Sequence, residues 1–137
     1  MKIQSYLMFN GRTEEALKFY EKALGAKIEM MMRFKDAPPE AQPSPAMGEK
    51  VMHSSFVIGD TQLMATDGAC GGKSAFAGIS LVFNATDDAD AKRRFEALAD
   101  GGKVEVPLGP AFFASSFGVT ADRFGVSWMV MAGPANP

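Results

Sequence analysis

The segment Gly25-Ala26-Lys27-Ile28-Glu29-Met30 returns 76 positions later as Gly101-Gly102-Lys103-Val104-Glu105-Val106. Each copy closes a stretch of helical periodicity and opens one of strand character, so the chain reads as two copies of one module. The same register sets Phe19 against Phe95 and Ala23 against Ala99. A Ser-Ser-Phe run also stands late in each copy, at Ser54-Ser55-Phe56 and Ser115-Ser116-Phe117. Such a duplication restricts the fold strongly: whatever layers one half forms, the other half must repeat.

The local patterns give the order of elements within a module. Residues 3–9 form a short apolar, partly β-branched run ended by Asn10-Gly11, which suits a strand followed by a turn. A helix follows: Thr13 is placed to cap it, Glu14 and Glu15 suit its positive end, and Ala16, Tyr20, Ala23 and Leu24 form one apolar face before Gly25 stops it. Residues 26–34 predict a second strand. Residues 36–50 hold four of the eight prolines and predict an irregular loop that could serve as a lid. Residues 51–58 and 61–66, joined by Gly59-Asp60, predict a hairpin. Glycine-rich residues 67–77 then link the copies.

In the second copy, 78–84 is a strand, and Asp87 or Asp88 caps a helix that carries Ala91, Phe95 and Leu98 on one face. Strands are expected at 103–106, 112–119 and 126–131. The repeats thus span 1–67 and 78–137 of a single domain. The expected fold class is α+β: two βαβββ modules forming a curved, mostly antiparallel eight-stranded sheet, with helices outside and a cleft within. One module alone leaves a sheet edge and a concave face uncovered, and ligands favour concave sites between structural units.

Composition excludes several classes of function. A content of 47% hydrophobic against 22% charged residues is globular, and a net charge of −2 supplies no field for phosphate backbones. Nucleic acid is not an expected partner. With Cys70 alone, neither an intrachain disulfide nor a multi-cysteine metal site can form, which fits a reducing compartment. The first residues lack the apolar core of a signal peptide, and no apolar run reaches membrane-spanning length. The expectation is a soluble, cytoplasmic protein with no membrane partner.

Four segments, Tyr6-Leu7-Met8-Phe9-Asn10-Gly11, Glu15-Ala16-Leu17-Lys18-Phe19-Tyr20, Gly59-Asp60-Thr61-Gln62-Leu63-Met64 and Asp122-Arg123-Phe124-Gly125-Val126-Ser127-Trp128, span almost the whole chain. With the paired modules, they resemble the vicinal oxygen chelate superfamily of glyoxalases, bleomycin-resistance proteins and dioxygenases, and within it the PhnB-like branch. The resemblance implies a cleft that in the metalloenzymes holds a divalent ion through His, Glu or Gln. The corresponding positions here are Ser5, Leu63, Gly78 and Met129, and a one-residue shift gives Gln4, Met64, Ile79 and Val130. Neither set is a usual quartet for a hard cation, so no metal and no other cofactor is expected.

Alternation through the family's ligand positions gives the expected cleft residues: Ser5, Leu7, Leu63, Gly78, Ser80, Val82, Ser127 and Met129. Trp128 should face the opposite way and pack under a helix. His53, the single histidine, is a weak catalytic candidate that shares a strand face with Ser55 and Val57. A structural role is the more ordinary one for it. Cys70 and the equivalent pair Glu29 and Glu105 are better explained as incidental than as catalytic. Ten methionines, including Met30-Met31-Met32, exceed what a core of this size needs.

The expected function is therefore metal-independent binding of a small molecule, with homodimerisation as the branch suggests. The alternative is a superfamily enzyme, a lyase, isomerase or dioxygenase with atypical or absent metal ligands. A methyltransferase label carried by some sequences of the branch finds no adenosylmethionine-binding α/β domain here.

Overall fold

The computed structural model describes residues 1–41, 45–68 and 75–134. The elements run β1 (Tyr6–Met8), α1 (Thr13–Leu24), β2 (Lys27–Arg33), β3 (Val51–Ile58), β4 (Thr61–Thr66), β5 (Ser80–Asn84), α2 (Asp88–Ala99), β6 (Lys103–Ala111), β7 (Ala114–Ala121) and β8 (Ser127–Ala132). This is the expected α+β arrangement of two βαβββ modules. They fall in two compact units, Met1–Ser74 and Ala75–Pro137. Each holds a four-stranded mixed sheet, ordered β1-β4-β3-β2 in the first and β5-β8-β7-β6 in the second. In each, the first strand pairs parallel to the last, and the other ladders are antiparallel.

Helix α1 follows from its periodicity. Ala16, Leu17, Tyr20, Ala23 and Leu24 are buried, and the Tyr20 ring stacks on Phe56 of β3 with centroids 6.2 Å apart. Gly25, at φ 68°, ends the helix in the left-handed conformation that glycine adopts without strain. Its start differs from expectation. Arg12, not Thr13, occupies the cap position, and its side chain makes no capping hydrogen bond. Asp67 acts instead from the end of β4: its Oδ1 accepts from Gly11 N at 2.7 Å, Thr13 N at 2.9 Å and Thr13 Oγ1 at 2.6 Å. Thr13 stands one place past the cap, at the first helical position, and its hydroxyl donates to that hub.

Helix α2 is capped as expected, with Asp90 N donating to Asp87 Oδ1 at 2.7 Å. Ala91, Phe95 and Leu98 form its buried face. Burial alone would push the Asp90 carboxyl up, but the Thr86 N–H and the charges of Arg94 and Arg93 outweigh it and hold the group below its ordinary range. A carboxyl depressed in the folded state stabilises above its unfolded pKa, and that contribution is lost as pH falls through the folded value. Urea midpoints measured at about pH 5 and about pH 3 should therefore drop further in the wild type than in Asp90→Asn. Equal drops would show that Asp90 contributes nothing to the acid sensitivity.

The largest departures from the sequence reading are at the bounds of β1, β6 and β7. β1 is confined to Tyr6–Met8, although Met64 N still donates to the Ser5 carbonyl. β6 continues through Pro107 and Pro110 to Ala111, which an edge strand permits because its outer N–H groups have no ladder partner. Ala111 then pairs with Ala114, so Phe112 and Phe113 form a tight hairpin connection and do not begin β7. In and just before the proline-rich stretch, the described residues carry single 3-10 turns at Phe34–Asp36, Pro39–Ala41 and Pro45–Met47. Its ends are tied by Phe34 N to Lys50 O and Lys35 N to Gly48 O, both 3.0 Å.

The Ser-Ser-Phe runs are not structural equivalents. Phe9 N donates to Thr66 O and Ala85 N to Met131 O, which fixes matching points in the two parallel ladders. From there, Leu63 matches Trp128, and their antiparallel partners are Phe56 and Thr120. Ser54 therefore matches Gly118, not Ser115. Ser54 Oγ bonds the Ala65 carbonyl, whereas Ser115 and Ser116 both donate to Asp88 Oδ1 at 2.6 Å and lower its pKa. Among the described residues, no helix is long and apolar enough to cross a membrane.

Candidate functional site

Each sheet has one face under its helix and one left open, and the ladders assign every strand residue to one or the other. In the second unit, Trp128, Val130 and Ala132 are buried while Ser127, Met129 and Met131 are half-buried. Trp128 thus faces the core as expected, with Nε1 donating to Asp122 Oδ2 at 2.9 Å. Ser80 pairs with Ser127 and Val82 with Met129, so these four share the open face. The Ser80 and Ser127 hydroxyls hydrogen-bond each other at 2.6 Å.

A concavity of about 600 Å³ lies at this point in the second unit, lined by Gly78, Ser80, Ser127 and Met129 together with Phe76, Ile79 and Glu105. Val82 is exposed on the same face but does not line it. Gly78, at φ 75°, turns the chain into β5. Chemically this is an apolar surface carrying a hydroxyl pair and one carboxylate.

The first unit corrects the expected register. Leu7 pairs with Ala65 and Leu63 with Phe56, and all four are buried on the helix-facing side. Leu7 and Leu63 are therefore core residues, because α1 covers the face that alternation from the family's positions had assigned to the cleft. The half-buried Ser5 precedes β1 and meets β4 through its carbonyl. The open face carries Tyr6 and Met64 as ladder partners, with Gln62, His53, Ser55 and Val57. His53, Ser55 and Val57 do share one face.

Sequence reasoning missed Tyr6, whose hydroxyl lies 2.8 Å from His53 Nδ1. The rings are 5.6 Å apart between centroids. Alternation on a strand of three residues was too short a signal to find this pair, which the β1–β4–β3 order brings together.

The ladder equivalence adds a second detail. Gln62 occupies the place of Ser127, and Gln4 that of Ser80. Gln4 Nε2 donates to Gln62 Oε1 at 2.6 Å, and Gln62 Nε2 donates to Glu29 Oε1 at 2.8 Å. Each unit thus joins its parallel strands by one polar side-chain pair, an amide pair in the first and a hydroxyl pair in the second. These are neutral groups already bonded to one another. Among the described residues no three His, Cys, Asp or Glu side chains come together as metal ligands. The donor set does not fit the hard divalent ion of the superfamily's metalloenzymes. Glu105 lines the concavity, and Cys70 lies outside the described residues.

Comparison with known proteins agrees with the fold. The family model described as 3-demethylubiquinone-9 3-methyltransferase matches residues 1–131. Protein YjdN of Escherichia coli K12 is 30% identical, over 95% of this chain and 94% of its own. The crystal structure of PA1353 from Pseudomonas aeruginosa is 42% identical with a TM-score of 0.87, covering 97% of this chain and 98% of that one. The PhnB protein from Bacillus cereus is 27% identical with a TM-score of 0.81, covering 97% and 100%. At 16% identity, the fosfomycin resistance protein FosX from Mesorhizobium loti shares the fold, with a TM-score of 0.62 over 96% of this chain and 90% of its own. Matched by that family model over nearly all of its length, the chain belongs to this PhnB-like family, and its duplicated βαβββ module is the fold it shares with the vicinal oxygen chelate proteins.

Proposed function

We propose that this PhnB-like chain, read as one glyoxalase-like domain over residues 1–137, is a cytoplasmic small-molecule binding protein that works without a hard divalent ion. The observation that carries this reading is the concavity of about 600 Å³ on the open face of the second sheet. That volume is within the range of small-molecule pockets. Gly78, Ser80, Ser127 and Met129 are the binding residues, and Val82 borders them on the same face. Ser5 belongs to the first unit and does not line this concavity, and Leu7 and Leu63 lie in that unit's core.

Phe76, Ile79 and Met129 suit an apolar or aromatic body, and the Ser80–Ser127 pair and Glu105 suit hydrogen-bond donors on it. FosX, a fosfomycin resistance protein by name, shares the fold, which is why antibiotics are included among the compounds to be tried. Homodimerisation, the commonest closed assembly, is part of the proposal and is read by light scattering. The family model's methyltransferase name is not adopted, since the described residues contain no parallel nucleotide-binding α/β sheet.

A metabolite and antibiotic panel screened by thermal shift tests the reading. A ligand at 100 times its Kd should stabilise the protein by about 2.7 kcal/mol. Ser127→Leu, which fills the concavity, should abolish that shift while leaving the unliganded melting temperature within a few degrees. An unchanged shift in Ser127→Leu would place binding elsewhere. A catalytic reading would draw on the Tyr6–His53 pair, and turnover lost in both Tyr6→Phe and His53→Gln would favour it.

A further inference from the structure

The open face of the first sheet gathers soft donors that neither the core nor the proposed pocket uses. Met30 and Met32, two residues apart on the edge strand β2, pair with Ser55 and His53 of β3 and are 40% and 36% exposed. Large apolar side chains on a strand are ordinarily placed toward the core, and Met31 between them does so by pairing with the buried Ser54. His53 stands directly across from Met32, where ladder partners have Cβ atoms about 5 Å apart. Met64, the ladder partner of Ser55 on the far side, adds a third thioether to the same face.

The imidazole is also oriented. With the Nδ1–H tautomer donating to the Tyr6 hydroxyl at 2.8 Å, the Nε2 lone pair is the one offered to a metal. A partner that fixes the tautomer of a ligating histidine in this way is the usual outer support of a metal site.

From these placements the structure assigns a soft-metal site to the first unit: Met30 and Met32 with His53 Nε2 bind one copper(I) ion, and Tyr6 positions the imidazole. Thioether and imidazole donors without a carboxylate favour Cu(I) over hard divalent ions. The binding is a coordination step with no change of oxidation state. It goes beyond the small-molecule reading and does not depend on it, since it uses the other sheet.

The test is competition with bicinchoninate under anaerobic, reducing conditions, using the full chain with Cys70→Ser so that no thiol competes. One Cu(I) per chain should transfer to the protein. Replacing both Met30 and Met32 by Leu, which conserves volume, should weaken binding by roughly 100-fold or more, and Tyr6→Phe by about 10-fold. Met31→Leu, on the opposite face, should change it less than about 3-fold, as expected for a residue outside the coordination and outer shells. In the unmodified sites, Ag(I) should shift the methionine methyl resonances of Met30 and Met32 and leave that of Met31 in place, a readout that needs no variant to fold. No transfer of Cu(I), transfer undiminished by the double Leu substitution, or Ag(I) shifts confined to other methionines would each overturn the assignment.

Discussion

Asp67→Ala is expected to destabilise the protein by about 4 kcal/mol, the sum of lost charge-assisted hydrogen bonds and of buried donors left without an acceptor. For a chain of this size, that lowers the melting temperature by roughly 10–15 °C. The side chain is buried and accepts four hydrogen bonds. Three come from Gly11 N, Thr13 N and Thr13 Oγ1, and the fourth from Val51 N to Oδ2 at 3.0 Å. It therefore ties the start of α1, the start of β3 and the end of β4 at one point. Ala retains none of these acceptors, and the freed N–H groups lie where water reaches poorly. Asp67→Asn keeps one oxygen and should lose about half as much. Chemical denaturation of the three proteins checks the order; a loss below about 1 kcal/mol in the Ala variant would mean that water replaces the carboxylate.

Asp122→Ala should cost the second unit about 3–4 kcal/mol by the same physics. Its Oδ1 accepts from Phe124 N at 2.9 Å and Val126 N at 3.0 Å, and its Oδ2 from the Trp128 indole. The first two bonds close the turn that leads into β8, and the third fixes the only tryptophan under α2. Near-UV circular dichroism and tryptophan fluorescence report this directly, since the Trp128 indole N–H loses its Asp122 acceptor. Trp128→Phe separates the contributions: it should remove the indole bond while leaving the turn intact, and so destabilise less than Asp122→Ala does. If the two variants lose equal stability, the turn bonds contribute little.

Both hubs show how far the sequence could be read. Asp122 acts on residues two, four and six positions away, and its turn lies within a motif legible from the chain. Asp67 acts across more than fifty residues on the start of α1, so local capping rules named Thr13 instead. The repeat was legible where it lay within helix and strand periodicity. Gly25 and Gly101 both adopt positive φ at the helix ends. At the next position the copies diverge for a tertiary reason: Ala26 is accommodated, while a Cβ on Gly102 would collide with the Ala121 carbonyl oxygen. The Ser-Ser-Phe match, by contrast, was a coincidence of composition that only the ladders could expose.

The site divides in the same way. In the second module, alternation placed Ser80, Val82, Ser127 and Met129 on one open face, because β5 and β8 are regular and their parallel register preserves the period of two. In the first module, the same rule assigned Leu7 and Leu63 to the cleft, although α1 covers that side and Tyr6 and Met64 are the open residues.

The sequence by itself determined the order of elements, the duplication and the buried stripe of each helix, since all of these are properties of short-range periodicity and residue chemistry. The tertiary structure alone decided which face of each sheet its helix covers, which remote carboxylate caps α1, and which side chains meet across strands, as Tyr6 and His53 do. The physical reason is that a strand offers two equivalent faces to any neighbour, and only packing against the helix breaks that symmetry.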